Sequence, residues 1–144
     1  MDNSFEKNPL PFPNTTKIEP IKFEDLFHTE VKEHSQSYFQ GHLNTVNSIE
    51  DAKTSLFALF QHPDVASAHH ISYAYTTGEG KHKTDGQNDE GETGASDILK
   101  TLIEEKQLTN IFLAVSRRHC GLNLGKRRFE IIRATALDVL SWKD

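Results

Sequence analysis

The 144-residue chain has one cysteine, Cys120, and one tryptophan. A single thiol excludes an intrachain disulfide framework and a cysteine-rich zinc knuckle. Long apolar runs are also missing: no stretch approaches the roughly 18 residues that span a bilayer. Met1–Asn8 has neither the basic start nor the apolar core of a secretory signal. The expectation is a soluble, cytoplasmic protein with no membrane partner. Lys and Arg number 16 against 21 Asp and Glu, and the net charge of −5 argues against a globally basic nucleic-acid binder while leaving local patches open. Hydrophobic residues make up 35% and the mean hydropathy is −0.60, so part of the chain is expected outside the core. The length suits one domain. G-x-S-x-G, the phosphate-loop pattern G-x-x-x-x-G-K-S/T and G-x-G-x-x-G are all absent, as are H-x-H and H-E-x-x-H. Serine hydrolases, phosphate-loop enzymes and dinucleotide enzymes are therefore unsupported, and neither a cofactor nor a metal is expected.

What is present alternates between strand and helix signals. Residues 1–16 hold three of the five prolines and show no apolar period, so they read as a flexible N-terminal arm, with one domain over 17–144. Ile18–Phe23 predicts a short strand. Ser37–Val46 predicts another, with Tyr38, Gln40, His42, Asn44 and Val46 on one face. Ser48 opens a helix through Ile49, Ala52, Leu56, Leu59 and Phe60 that ends before Pro63. His70–Thr76 alternates as a strand. Gly78–Gly91 carries four glycines in fourteen residues and predicts a long exposed loop. A second helix is expected over Thr93–Lys106, with Glu92 and Asp97 favouring its positive end. Five successive apolar residues, Ile111–Val115, suit a central strand covered on both sides. Phe129, Ile132, Ala136, Val139 and Leu140 mark a last helix. This order predicts an α+β two-layer sandwich, a mixed sheet of about four strands with helices on one face.

Charge is concentrated. Six acidic residues lie between Glu79 and Asp97, and six basic ones between Arg117 and Arg133. Arg117 and Arg118 leave a buried strand, Gly121 and Gly125 relax the backbone, and Lys126 precedes a helix, so cations, amides and dipole could converge on an anion. The plainer alternative pairs the arginines with the acidic segment. His69, His70, His82 and His119 lack metal-ligand spacing, and adjacent strand histidines point to opposite faces. Cys120 beside His119 suits a tight turn better than a nucleophile and its base.

Four segments together resemble the Impact family of ancient-domain translation regulators and their bacterial relatives. They are Ser37-Tyr38-Phe39-Gln40-Gly41-His42-Leu43, Ala68 through Tyr75, Asp89-Glu90-Gly91-Glu92-Thr93, and Val115 through Gly125. The resemblance covers Ser37–Leu140 and implies a fold similar to domain 2 of a small-subunit ribosomal protein. It places His70, Tyr75, Asp89, Gly91, Glu92, Arg117, Gly121 and Gly125 on motif positions. Cys120 stands where the family usually has glycine, and Glu90 interrupts its D-D-G-E run. Eukaryotic members carry a further domain that docks on the activator of a translation-control kinase, and the stretch before Ser37 is too short for one.

The functional expectation is a non-catalytic interaction domain in translation control, binding ribosome-associated protein or RNA, with no DNA sequence specificity. The candidate partner- or anion-binding residues are His70, Tyr75, Asp89, Gly91, Glu92, Arg117, Arg118, Gly121, Gly125 and Lys126. Two alternatives stand beside it. One is a general nucleic-acid module; the other is a small-molecule enzyme with His70, Asp89 and Glu92 as acid and base groups.

Overall fold

Five consecutive apolar side chains on an extended segment point alternately to opposite sides, so Ile111–Val115 needs a core on each face of its sheet. The computed structural model, which describes residues 21–78, 81, 83–119 and 124–142, shows both. Its strands are β1 (Phe27–His28), β2 (Lys32–His34), β3 (Ser37–Thr45), β4 (His70–Thr77), β5 (Thr84–Asn88) and β6 (Ile111–His119). Its helices are α1 (Ile49–Leu59), α2 (Pro63–Ala66), α3 (Ala95–Glu105) and α4 (Arg127–Leu140). The sheet runs β1-β3-β6-β4-β5, β2 pairs with β3, and every pairing is antiparallel.

Leu113 and Val115 pack with Phe39, Leu43 and Ala74 under α3 and α4. Phe112 and Ala114 pack on the other side with Ile71, Tyr73 and Tyr75 against Ala52, Leu56 and Leu59 of α1 and Val65 of α2. The α+β class is as the sequence implies, but three particulars differ. Among the described residues the sheet has six strands, its pairings are antiparallel rather than mixed, and helices cover both faces rather than one. The two-sided run Ile111–Val115 is the physical reason: one helical layer would have left Phe112 and Ala114 in water.

Local chemistry sets most boundaries. Ser48 Oγ accepts from Asp51 N–H at 3.1 Å, and Asp51 Oδ2 accepts from Asn47 N–H at 2.9 Å, which caps α1 reciprocally. Pro63 opens α2 at a position where its missing N–H costs nothing. The expected strand Ile18–Phe23 is not one in its described part, because Phe23–Asp25 is a 3-10 turn; residues 1–20, with the expected arm 1–16, lie outside the described residues.

The larger correction is the expected exposed loop. Thr84–Asn88 is the edge strand β5, paired with Tyr73–Thr77. Its glycine is there for packing: a Cβ on Gly86 would sit 2.4 Å from the Tyr75 ring. Its polar side chains bond rather than bury apolar surface. Gln87 Nε2 donates to Ser96 Oγ at 2.9 Å and Asp97 Oδ1 at 2.7 Å, tying the edge to α3.

A polar chain crosses the α1-side core. The Phe23 carbonyl can only accept, so His28 Nε2 donates to it at 2.7 Å. With His28 neutral, its Nδ1 accepts from His42 Nδ1–H at 2.7 Å, and His42 Nε2 accepts from the Ser116 hydroxyl at 2.8 Å. Burial, then neighbouring histidines, hold His42 well below the ordinary value of 6.5. Burial also lowers His28, and His62 adds to it, against the opposing Phe23 carbonyl and Glu24.

Two outcomes follow. Leu113 has no exposed surface, so Leu113→Ala should cost about 2–5 kcal/mol in denaturant melts. The folded state binds fewer protons than the unfolded chain wherever His28 and His42 stay neutral below 6.5. Their contribution is therefore complete above about pH 6.5 and is lost as pH falls toward their depressed folded values. Thermal melts across that window should show stability falling with acid, and less steeply in His42→Asn.

Candidate functional site

One end of the sheet collects the first residues of β3 and β4 and the last of β6, with Ser37 opposite His119 and His70 opposite Arg117. Cross-strand partners share a face, so His70 and Arg117 stand together on the α3/α4 side. The segment leading into α3 and the start of α4 reach the same end, because their arms of the chain meet there in a buried ion pair. Arg117 Nη1 donates to Glu92 Oε2 at 2.7 Å, and Arg128 Nε lies 3.3 Å from the same oxygen. Arg117 Nη2 reaches Ser37 Oγ at 3.4 Å, and its guanidinium lies 5.4 Å from the centre of the Phe39 ring. Glu92 is 5% exposed and Arg117 6%, so neither charge is solvated and each depends on the other.

Asp89 serves the helix. Its carboxylate accepts from Gly94 N–H at 3.2 Å, Ser96 N–H at 2.9 Å and Ser96 Oγ–H at 2.6 Å, filling the open donors of the α3 N-terminus. Between Asp89 and Glu92 the chain passes through two left-handed residues, Glu90 at φ 48° and Gly91 at φ 85°. Gly91 is needed twice over, for that φ and because a Cβ would lie 3.0 Å from His70 Nδ1. His70 Nδ1 in turn donates to the Glu90 carbonyl at 2.9 Å.

Three histidine rings line the outer side of this pair. His119 stacks on His70 with centroids 5.7 Å apart and meets His69 at 4.4 Å, while the His119 N–H donates to His69 Nδ1 at 3.2 Å. Burial, then the charge of Arg117 and the two neighbouring rings, lowers the pKa of His119 against the opposing Glu92. Among the described residues no group of His, Cys, Asp and Glu is arranged to hold a metal.

The structure thus brings His70, Asp89, Gly91, Glu92 and Arg117 to one place. Gly125 joins them at the α4 start, its carbonyl accepting from Arg128 Nη1 at 2.6 Å, and Lys126 is exposed beside it. Arg118 belongs to the opposite face, over the Tyr38 ring at 5.0 Å and 3.8 Å from Asp64. Tyr75 lies farther along β4, buried in the α1-side core opposite Gly86. Gly121 and Cys120 fall outside the described residues. Arg128 and Ser37 are the additions that sequence reasoning did not single out. The alternative pairing of arginines with acidic residues does occur, at Glu92.

The fold and this strand end define a small α+β domain that fixes charged and aromatic groups on a rigid sheet. Residues 35–140 match the Impact N-terminal domain. Protein IMPACT of Rattus norvegicus is 36% identical over 111 residues, covering 76% of this chain and 35% of that protein. The IMPACT homolog of Caenorhabditis elegans is 33% identical over 132 residues, covering 88% of this chain and 51% of its own. The chain belongs to the Impact family, and it spans from a third to half of the length of these relatives. Two solved structures share the fold. A hypothetical protein superposes with a TM-score of 0.70 at 20% identity, over 81% of this chain and 57% of its own. The two-domain translational regulator Yih1 superposes with a TM-score of 0.56 at 24% identity, over 95% of this chain and 54% of its own.

Removing one partner of a buried pair strands the other. Glu92→Gln should therefore lower stability by about 3–5 kcal/mol in denaturant melts, because Arg117 keeps its charge in a desolvated site.

Proposed function

We propose that this domain is a non-catalytic binding module of translation control, acting in the cytoplasm, whose partner is a ribosome-associated protein or RNA held at the strand end and the α4 start. One observation carries the reading: the groups that would serve acid–base chemistry are spent on the fold. Asp89 caps α3, Glu92 neutralises two arginines, and His70 Nδ1 is bonded to the Glu90 carbonyl. The cations around them are differently placed. Lys126 and Arg127 are exposed at the α4 N-terminus, where the helix dipole disfavours positive charge, so their position gives the helix nothing. Arg118 is 40% exposed by its side chain, and its 3.8 Å contact with the still more open Asp64 contributes little. Membership of the Impact family and the fold shared with a translational regulator support the pathway.

Arg118 and Lys126 occupy opposite faces of the same sheet end, so one partner engaging both must wrap that end. The double variant Arg118→Glu with Lys126→Glu should remain folded, since Lys126 is exposed and Arg118 gives up little beyond its contact with the Tyr38 ring, worth about 0.5–1 kcal/mol. Co-sedimentation with ribosomal fractions should be lost. A folded double variant that sediments like the parent, or a parent that never sediments, overturns the proposal. Binding that survives nuclease indicates a protein partner; binding that nuclease abolishes and salt weakens steeply indicates RNA.

A further inference from the structure

Residues 21–28 lie along the edge of the sheet as a strap, and the chain is fastened firmly only where the strap ends, at Thr29. Thr29 N–H donates to the Gly41 carbonyl at 3.0 Å, Gly41 N–H donates to Thr29 Oγ1 at 2.8 Å, and Gln40 Nε2 donates to the Thr29 carbonyl at 3.0 Å. The strap itself has lighter ties. Gln61 makes two exposed bonds to it, donating to the Ile21 carbonyl at 3.0 Å and accepting from Phe23 N–H at 3.3 Å. Leu26 is its one buried side chain, and β1 adds two residues to the ladder. Segments held by so few buried contacts open locally before the fold does. The remaining tie is His28 to His42, and that tie depends on protons.

Two ring nitrogens 2.7 Å apart hold one proton between them. In the neutral pair it belongs to His42 Nδ1. A first added proton is absorbed with every heavy atom in place. His28 takes it and becomes N–H at both nitrogens, one facing the Phe23 carbonyl at 2.7 Å, while the Phe23 ring stacked at 3.9 Å favours a cation. His42 changes tautomer, accepting at Nδ1 and donating from Nε2 to Ser116 Oγ, whose own hydrogen turns to the Gln40 carbonyl at 3.5 Å. Each donor keeps an acceptor.

A second proton has no such place. It would charge His42, which has no exposed surface, and set two N–H groups head to head at 2.7 Å. Of the charged groups nearby, His62 from the start of α2 opposes charge on both rings, and Glu24 favours it on His28 alone. We propose that the His28–His42 contact is an acid-operated latch: with one added proton the strap over residues 21–28 stays closed, and with the second it swings open about Thr29. Opening parts the rings, hydrates both imidazolium groups and lifts Leu26 from the α1-side core, while β3, β4 and β6 stay paired. The latch is separate from the strand end and does not rest on the function proposed for it.

The test uses the ¹⁵N-labelled full chain, taken in steps from about pH 7.5 to about pH 4.5, the range in which histidines change charge. Imidazole ¹⁵N shifts should show His42 passing from the Nδ1–H to the Nε2–H tautomer as His28 takes charge, with the strap still closed. At lower pH, hydrogen exchange corrected for the intrinsic rate should show the amides of Phe23, Leu26 and Phe27 opening. Their opening constant should rise by about tenfold per pH unit, as uptake of one further proton requires, while Leu113 and Val115 keep their protection. His42→Asn leaves no site for the second proton and should flatten that slope. If this variant does not fold, the parent's tautomer change and exchange slope decide the matter. The latch is overturned if His42 keeps its Nδ1–H tautomer when His28 is charged, or if the strap and β6 lose protection together. It is equally overturned if strap opening in the parent does not vary with pH, or if folded His42→Asn opens with the parent's slope.

Discussion

The double burial of β6 is the constraint on which the other elements depend. Ile111, Leu113 and Val115 enter one core and Phe112 and Ala114 the other, so the strand can only sit between two helical layers. Its neighbours β3 and β4 are then fixed on either side, each antiparallel to it. Beyond Val115 the same alternation continues with polar residues. Ser116 meets His42 in the α1-side core, Arg117 meets Glu92 on the α3/α4 side, and Arg118 returns to the first face over Tyr38. One strand thus carries the packing of the domain in its first half and the charges of its candidate site in its second.

The Arg117–Glu92 pair is best understood as a clamp. It joins the end of β6 to the segment leading into α3, and Arg128 adds the start of α4. Two desolvated charges rarely gain stability over an apolar pair, but they tolerate few alternative partners, which suits a place where four chain segments must meet in one register. The clamp also changes what the site can do. An arginine neutralised by a buried carboxylate is a poor anion receptor, and a carboxylate held by two arginines is a poor base. The partner surface proposed above is therefore the rim: Arg118, Lys126, Arg127 and the stacked histidines.

Polar side chains do more structural work here than the composition suggests. The low hydrophobic content is offset by networks that tie elements together through bonds, as Asp89 and Gln87 do for α3 and His28 and His42 do for the turn at Phe23. This accounts for β5, which has no apolar pattern and yet is an ordered strand. Gly86 lets Tyr75 close over it, and Gln87 reaches to α3.

The elements stabilised by their own side chains were legible in the amino-acid sequence: β3, α1 with its Ser48 cap, β4, α3, β6 and α4 each carry a periodicity that burial reads directly. So was the family, and with it the cluster of His70, Asp89, Gly91, Glu92 and Arg117. Periodicity reports which faces of one segment are apolar and says nothing about which segment lies beside it. Tertiary structure alone therefore decided that β5 is a strand and that helices cover both faces. It also decided that Glu92 lies within reach of two arginines, one 25 positions away in sequence. Such contacts are made by register between distant strands, and register follows from packing the whole core at once.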